Sequence, residues 1–523
     1  MTEIQASDLL KSLPESISDV IKPWTERSPD RPALVEAAGS WTYRQLDAAI
    51  DKTRTWLQSS GVRPGDRVML VCENCRAFVA IFLALTSLDA WPVLANARLS
   101  AREIDDIRDH SGARRVVYMT SVSPQATQHA KRHGAIIGEA AGLGPLGFGP
   151  LKENVEPEPI SKNSAHRVAA LIYTSGTTGL PKGVVLTHRN LLFIAFVSAQ
   201  IRSLTPEDRL YGVLPMSHAV GLSVVLLGTL LSGATLYLSP RFDPVAALAA
   251  LERDRLTVVL GVPAMFALFV DYAKTKGLRG PLKFPALRII SSSGAPLEPD
   301  VKSAVESLFG MPLHNGYGVT ECSPTIAQAR IDEPRSDLSV GRVLPEVEIK
   351  LVGPDGLPMR EGEVGELWVR GPNVSKGYYR APEETSAAIN AEGWFNTRDL
   401  ARVEGGHLFI VGRTKDLIVR FGMNVYPAEV EAVLNTDPAV VRSAVIGRSV
   451  EGAEGGEEVV AFVQLSRDSS RSVVELADHA ARNLAPYKRP SQILIVPELP
   501  VSPTGKVRKD ELRKIAASLE QSQ

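Results

Sequence analysis

The stretch YTSGTTGLPKG, Tyr173–Gly183, decides how the rest of the chain is interpreted. It combines hydroxyl side chains, glycines and one ammonium group, supplied by Thr174, Ser175, Gly176, Thr177, Thr178 and Lys182. Hydroxyl and backbone N–H donors beside a compact cation are what a polyphosphate group needs. A Walker loop requires Ser or Thr directly after its lysine, whereas Lys182 is followed by Gly183. The stretch predicts a polyphosphate-binding turn of another kind, with a plain surface turn of similar composition as the alternative.

Composition and charge exclude several classes of protein. The chain has 523 residues, of which 44% are hydrophobic and 22% charged, so we expect a globular protein of two or more domains. With 58 basic and 59 acidic residues, no broad field favours nucleic acid or an anionic membrane as a partner. Its three cysteines, Cys72, Cys75 and Cys322, are predicted to be structural thiols. Together with an N-terminus that lacks a secretory signal, they indicate a cytoplasmic protein.

One apolar run, Ala219–Leu238, is nominally long enough to span a bilayer. Gly228 and the Ser232-Gly233 pair interrupt it, and the apolar runs that follow resemble buried strands. We therefore expect a core helix that leads into a strand, and no membrane span.

The order of the predicted elements indicates the fold class. Residues 65–96 follow a strand–helix–strand pattern, and the alternation returns at residues 256–270 and 286–309. Such alternation predicts an α/β architecture of helix-covered sheets. Residues 142–159 are rich in Gly, Pro and Glu, which favours a surface connection.

The pattern changes towards the C-terminus. Short alternating runs separated by Gly and Pro fill residues 340–410 and predict a small barrel-like subdomain. After Arg413 we expect a helix from Pro427 to Leu434 and strands near Val441 and Val459.

Further motifs follow the Tyr173–Gly183 stretch in a recognisable order. They are NGYGVTE (Asn315–Glu321), WFNTRD (Trp394–Asp399), GRTKD (Gly412–Asp416) and SPTGK (Ser502–Lys506). In order and approximate spacing they resemble the adenylate-forming (AMP-binding) superfamily, in its acyl- and aryl-CoA synthetase branch. The resemblance implies a large N-terminal domain, residues 1–412, and a mobile, smaller α+β C-terminal lid, residues 413–523. Lys415 would be the hinge about which the lid turns between two half-reactions.

The resemblance also implies roles for single residues around ATP. Lys506 would be the catalytic lysine that bridges the carboxylate and the α-phosphate, and Thr320 would bond the same phosphate. Glu321 and Thr174 would hold Mg²⁺. The adenine and ribose would meet Ser293, Gly294, Ala295, Pro296, Asn315, Gly316, Tyr317, Gly318, Asp399 and Arg413. One departure from the family is Arg398, where many relatives carry glycine.

The acyl pocket implied by the resemblance is apolar. Its predicted residues are His218, Ala219, Val220, Gly221, Val262, Met265, Ser292, Gly316 and Val319, with His218 as a gate. None of them is an Arg or Lys that could meet a second carboxylate, so a hydrophobic monocarboxylic acid is expected. Small residues at 292 and 316 favour a flat aromatic or phenylalkanoic acid, with a medium-chain fatty acid second. The absence of an aspartate near Ser217 and His218 makes amino acids less favoured.

The expected acceptor is coenzyme A, since no carrier segment follows Lys506 in the sequence and Gly422 stands where relatives line the pantetheine tunnel. The alternatives are a stand-alone adenylating enzyme that loads a separate carrier protein, and an inactive ligand-binding member of the fold. The expected small-molecule partners are ATP, Mg²⁺, coenzyme A and a small carboxylic acid. A homodimer is left open.

Overall fold

A computed structural model describes residues 13–174, 181–420, 423–449, 457–466, 469–501 and 507–520. The chain forms two compact units. The first comprises residues 1–297, 303–349 and 369–395, and the second comprises residues 298–302, 350–368 and 396–523. The predicted domain boundary after residue 412 and the hinge at Lys415 remain predictions.

A seven-stranded sheet carries the predicted phosphate turn. In spatial order its strands are Ile136–Glu139, Pro145–Phe148, Arg115–Tyr118, Arg67–Cys72, Trp91–Asn96, Val168–Thr174 and Lys182–Thr187. The strand Arg67–Cys72 is buried along its whole length and pairs in parallel with both neighbours, as continuous apolar runs do. The helix Arg76–Ser87 connects it to Trp91–Asn96, so the strand–helix–strand prediction for residues 65–96 is confirmed.

The surface connection expected over residues 142–159 contains a strand of this sheet instead. Pro145–Phe148 pairs antiparallel with Ile136–Glu139 and with Arg115–Tyr118. Leu146 is buried there, and a Cβ on Gly147 would lie 2.9 Å from that of Ala130. Backbone pairing and one buried leucine place this segment in the sheet, and its Gly- and Pro-rich composition gave no sign of that.

A nine-stranded sheet forms the other half of the first unit. In spatial order its strands are Arg342–Val343, Thr325–Gln328, Leu313–Gly318, Ile289–Ser292, Val258–Gly261, Arg209–Gly212, Thr235–Leu238, Pro32–Glu36 and Gly39–Thr42. The strands Val258–Gly261, Ile289–Ser292 and Leu313–Gly318 are parallel neighbours. Their carboxyl ends therefore lie along one edge of the sheet, which is where open α/β sheets bind ligands.

Helices flank both sheets. Along the chain they are Lys22–Arg27, Tyr43–Ser59, Arg76–Ser87, Ala101–Ser111, Pro124–Arg132, His188–Ile201, Gly228–Leu231, Pro244–Arg253, Pro263–Thr275, Pro299–Phe309 and Pro382–Ala388. The apolar run Ala219–Leu238 forms a π-helix, Val220–Leu227, which continues through Gly228 into Gly228–Leu231 before the strand Thr235–Leu238. This confirms the core helix followed by a strand. Within the described part of the chain, no helix has the length and apolar character needed to cross a membrane.

The second unit holds most of a four-stranded sheet and all of a smaller α+β assembly. The four strands are Glu348–Val352, Gly365–Arg370, Phe395–Glu404 and His407–Arg413. The assembly contains the strand pair Ile418–Arg420 and Met423–Val425, the three-stranded sheet Val440–Ser449, Glu457–Leu465 and Gln492–Val496, and the helices Pro427–Asn435, Val473–Asn483 and Lys509–Glu520. The helix and strands predicted after Arg413 are thereby confirmed.

The three-stranded sheet is buried on both faces. Successive side chains of a strand point to opposite faces, so Val445 packs in one apolar cluster and its neighbour Ile446 in another. The first cluster includes Leu434 and Leu476 of two helices, and the second includes Leu512 of the last helix. Each face thus has its own helical cover.

Candidate active site

The two ends of the predicted phosphate turn stand side by side. Thr174 and Lys182 are directly opposed in the antiparallel pair Val168–Thr174 and Lys182–Thr187. The Tyr173 hydroxyl lies 2.8 Å from Nδ1 of His110, and a Cβ on Gly183 would lie 3.0 Å from the Tyr173 ring. This packing fixes the base of the turn. Ser175, Gly176, Thr177 and Thr178 lie outside the described residues.

Tyr378 joins the base of this turn to Glu321. Its hydroxyl donates a hydrogen bond of 2.9 Å to Oε1 of Glu321, and Nζ of Lys182 lies 5.3 Å from the centre of its ring. Burial and the neighbouring Glu321 carboxylate raise the pKa of Tyr378, so its hydroxyl remains a donor at physiological pH. Two motifs far apart in the sequence, the turn and Glu321, therefore belong to one site.

The backbone around Tyr378 is itself held against the turn. The N–H of Val185 donates to the carbonyl of Gly377 at 2.9 Å, and Val184 and Tyr378 form a β-bridge. Sequence reasoning missed Tyr378, because an aromatic residue in a loop gives no sign of what its hydroxyl contacts.

Thr320 and Glu321 lie in a short 3₁₀ turn, Thr320–Cys322, which follows the strand Leu313–Gly318. The N–H of Ser375 donates to the carbonyl of Glu321 at 2.8 Å. A Cβ on Gly318 would lie only 2.0 Å from the carbonyl oxygen of Pro324, so the motif needs a glycine there. The carboxyl edge of the sheet thus delivers both predicted phosphate and magnesium contacts.

A small cavity of about 30 Å³ lies along the same strand. Its lining includes Val220, Ser293, Gly294, Gly316, Tyr317 and Gly318, all of them predicted for the adenine or the acyl group. The structure adds Arg202, Val224, Leu260, Ser291, Pro324, Thr325 and Gln328. Predicted adenine and acyl residues from separate motifs therefore meet at one cavity.

Other predicted residues do not line this cavity. Ser292 is buried and faces away, since its strand neighbours Ser291 and Ser293 line the cavity. Val262 packs near Gly294, where a Cβ would lie 3.6 Å from its Cγ1. The remaining predicted residues are His218, Ala219 and Gly221 before and within the π-helix, Met265 in the helix Pro263–Thr275, Ala295 and Pro296 after Gly294, Asn315 within the strand Leu313–Gly318, and Val319 after it.

The segment that carries His218 is anchored by Asn74. Its side-chain N–H groups donate to the carbonyls of Gly212 and Leu214, both at 2.9 Å, and its Oδ1 accepts from the N–H of Met216 at 2.9 Å. A Cβ on Gly221 would lie 2.1 Å from a backbone oxygen of the same segment. Asn74 therefore holds the backbone just before His218, the predicted gate, in place.

Arg202 is a cation that sequence reasoning missed. The sequence suggested that no Arg or Lys lines the acyl pocket, yet Arg202 lines the cavity and donates to Oε1 of Gln328 at 2.9 Å. Gln328 also fills the space that the sequence predicted to be open beside Gly316. A Cβ on Gly316 would lie 2.4 Å from Oε1 of Gln328. Arg202 follows a helix and lies 126 residues from Gln328 in the sequence, so their contact could not be predicted from local patterns.

The predicted ribose contacts lie in the second unit and contact each other. Nε of Arg413 donates to Oδ1 of Asp399 at 3.0 Å, across the pair of strands that carries them. Arg398 has a φ of +59°, which explains why glycine suits this position. Lys415 is exposed in the 3₁₀ turn Thr414–Asp416. Lys506 and Gly422 lie outside the described residues.

The cysteines behave as structural thiols. Cys72, Cys75 and Cys322 are buried and unpaired with one another, and burial raises the pKa of the Cys75 thiol to about 12. Among the described residues, no group of three or more His, Cys, Asp or Glu side chains could hold a metal ion. A magnesium ion would therefore depend on Glu321 together with phosphate oxygens and water.

Comparisons with known proteins identify the family of the chain. Residues 21–379 match the family described as AMP-binding enzyme, and residues 429–506 match the AMP-binding enzyme C-terminal domain. A feruloyl-CoA synthase from an Amycolatopsis species is 34% identical over 492 residues, which cover 93% of this chain and 96% of that enzyme. The 4-coumarate–CoA ligase 1 of Oryza sativa subsp. japonica is 32% identical over 527 residues, which cover 95% of this chain and 92% of that enzyme.

Solved structures are similar over nearly the whole chain. ATP-bound MatB from Rhodopseudomonas palustris has a TM-score of 0.82 at 29% identity, covering 96% of this chain and 99% of that one. The o-succinylbenzoate CoA synthetase from Bacillus subtilis, bound to its acyl-adenylate intermediate, has a TM-score of 0.80 at 29% identity, covering 95% and 98%. The chain belongs to the AMP-binding enzymes, the adenylate-forming family, in its acyl- and aryl-CoA synthetase branch.

Proposed function

We propose that this protein is an ATP- and Mg²⁺-dependent ligase that joins an aromatic monocarboxylic acid to coenzyme A. The observation that carries the proposal is the contact chain from Lys182 through Tyr378 to Glu321. It brings the predicted polyphosphate-binding turn and a hard oxygen ligand together beside the strand Leu313–Gly318, whose cavity is lined by Val220 and Gly316, both predicted for the acyl group. A cytoplasmic location belongs to the proposal and is supported by three buried cysteines that form no disulfide with one another.

The first half-reaction brings two anions together. The carboxylate oxygen of the acid forms a bond to the α-phosphorus of ATP, and the bond to pyrophosphate breaks. Lys182 and the hydroxyl of Thr174 would hold the departing phosphates, while Lys506 would offset the charge between the carboxylate and the α-phosphate. In the second half-reaction the thiolate of coenzyme A attacks the acyl carbonyl, and AMP leaves.

The residues present fit a magnesium ion. Glu321 offers one carboxylate held in place by Tyr378, and Thr174 offers a hydroxyl at the base of the turn. Mg²⁺ binds through one or two carboxylates together with substrate phosphates and water, and it would neutralise phosphate charge here. Tyr378 would keep the Glu321 carboxylate oriented for that role.

The lining of the cavity supports an aromatic acid. Val220, Val224 and Leu260 give apolar walls. Relatives named for ferulate and 4-coumarate cover more than nine-tenths of this chain. Both acids are flat phenylpropenoates, so the proposal takes this class as the first to test.

The test measures AMP and acyl-CoA after incubation with ATP, Mg²⁺, coenzyme A and a panel of aromatic and medium-chain acids. We expect AMP formation that requires coenzyme A and is fastest with an aromatic acid. Pyrophosphate release without thioester would instead indicate an adenylating enzyme that serves a separate carrier. No turnover of any acid would overturn the proposal.

A pair of variants ties the activity to this site. Glu321→Gln keeps the shape but removes the charge, so we expect at least a 100-fold fall in pyrophosphate release. Glu252→Gln on the exposed face of the helix Pro244–Arg253 is the matched control and should leave the rate unchanged. Equal rates in both variants would place the chemistry elsewhere.

A further inference from the structure

Arg202 is a buried cation at the edge of the cavity described above. It follows the helix His188–Ile201, is 6% exposed and lines the cavity. Burial lowers the pKa of its guanidinium to about 10, so the group stays charged at physiological pH. No acidic side chain in the described part of the chain offsets this charge. Removing a charge from water without a partner is costly, which makes such an arrangement uncommon in a purely structural role.

The guanidinium also has an N–H donor that no described residue accepts. Nη1 donates to the carbonyl of Ser198 at 3.2 Å and to the hydroxyl of the same residue, and Nη2 donates to Oε1 of Gln328. Nε is buried and has no acceptor among the described residues. Since a guanidinium carries five N–H donors, the group can bond one more acceptor without giving up those it has.

Gln328 holds Arg202 in place. Its Nε2 donates to the carbonyl of Asn315 at 3.1 Å and lies 3.3 Å from Oγ of Ser291. These bonds turn Oε1 towards Arg202, and Gln328 is itself buried. Gln328 therefore holds the Arg202 guanidinium in a fixed orientation beside the cavity.

The pair lies away from the reacting end of the site. Gln328 pairs with Gly316 in the middle of its strand, whereas Thr320 and Glu321 follow the end of that strand. At roughly 3.3 Å for each residue of a strand, several ångströms separate the pair from the predicted phosphate contacts. Arg202 lines the same cavity as Val220 and Gly316, which are both predicted for the acyl group, so an acid bound there would bring its far end within reach of the guanidinium.

We propose that Arg202, fixed by Gln328, recognises an oxygen acceptor at the end of the acid remote from its reacting carboxylate. This inference rests on the proposed function and makes the substrate class narrower: aromatic acids that carry a distal hydroxyl, ether or carboxylate oxygen. A site built to bond such an oxygen rejects the analogue that lacks it, because its buried donor is then left without an acceptor.

The test compares pairs of acids that differ only at the far end: cinnamate with 4-hydroxycinnamate, and 3-phenylpropanoate with 3-(4-hydroxyphenyl)propanoate. The 4-carboxy analogues form a third arm that separates a neutral from an anionic acceptor. We expect kcat/KM to favour the oxygenated member by roughly 10- to 100-fold. Equal kcat/KM within both pairs, together with no preference for the carboxy analogues, would overturn the inference while leaving the ligase activity established.

Variants assign the preference to Arg202. Arg202→Met keeps the length of the side chain without its donors, so the preference within each pair should fall to near unity, whereas Arg202→Lys should keep part of it. Arg189→Met, exposed on the helix that precedes Arg202, is the matched control and should keep the full preference. An unchanged preference in Arg202→Met would show that the arginine is structural only.

Two further arms keep the outcome decisive. If Arg202→Met does not fold, Gln328→Leu removes the support of the guanidinium and should lower the same ratio. If no acid is turned over, the proposed function fails, and calorimetric binding of the same acid pairs in the presence of a non-hydrolysable ATP analogue tests Arg202 separately. Binding that ignores the distal oxygen would then overturn the inference by itself.

Discussion

Removal of one hydroxyl, in Tyr378→Phe, tests whether the Lys182–Tyr378–Glu321 arrangement works as a unit. The change deletes the 2.9 Å hydrogen bond to Glu321 and keeps the ring against which Lys182 packs. A hydrogen bond to a charged group contributes about 1.5–3 kcal/mol, so the loss corresponds to roughly a 10- to 150-fold change. Because Glu321 is the proposed magnesium ligand, we expect a higher Mg²⁺ requirement and a lower kcat/KM for ATP.

The assay measures pyrophosphate release while Mg²⁺ is titrated at fixed ATP and acid. Tyr379→Phe is a close control, since the neighbouring tyrosine donates to the carboxylate of Glu158 instead. It loses a comparable bond and should keep the wild-type Mg²⁺ dependence. If both variants shift the Mg²⁺ requirement alike, or if Tyr378→Phe leaves it unchanged, the link between Tyr378 and the metal site is refuted.

Other perturbations reach other parts of the molecule. Burial lowers the pKa of His188 to about 4, below its ordinary value near 6.5, so the folded state should lose up to about 3 kcal/mol of stability as pH falls through that window. Chemical unfolding at several pH values should show that His188→Gln loses less unfolding free energy at acid pH than the wild-type protein does. The control His166→Gln, at an exposed position, should lose as much as the wild-type protein. Arg398→Gly should relieve the positive φ and raise the unfolding free energy by about 1 kcal/mol; a clear loss of stability would argue against backbone strain there. Lys506→Ala should abolish adenylation but spare thioester formation from supplied acyl-adenylate, and equal loss of both half-reactions would contradict the rotating lid.

Much of the architecture follows from local patterns in the sequence. The buried strand Arg67–Cys72 is a continuous apolar run, and the helix Pro427–Asn435 begins at a proline with apolar positions at helical spacing. The Glu321 motif is equally local, because Gly318 is needed where the carbonyl oxygen of Pro324 approaches closely. Such features depend on few residues that are near one another in the chain.

The features that could not be predicted from the sequence are contacts between segments that are distant in the chain. Tyr378 meets Glu321 because the backbone around Tyr378 pairs with the strand Lys182–Thr187, and Arg202 donates to Gln328 across a separation of 126 residues in the sequence. The strand Pro145–Phe148 is held by pairing on both of its edges, which its composition did not indicate. The direction of Ser292 depended on the register of a short strand, where a shift by one residue exchanges the two faces.

The central claim is that the triphosphate of ATP is held between the turn that joins Thr174 to Lys182 and the carboxylate of Glu321. A crystal structure with Mg²⁺ and a non-hydrolysable ATP analogue measures this directly. We predict phosphate oxygens within hydrogen-bonding distance of Thr174 and Lys182, and a magnesium ion at about 2.0–2.1 Å from an oxygen of Glu321. A nucleotide bound elsewhere, with Glu321 still bonded only to protein, would contradict the account.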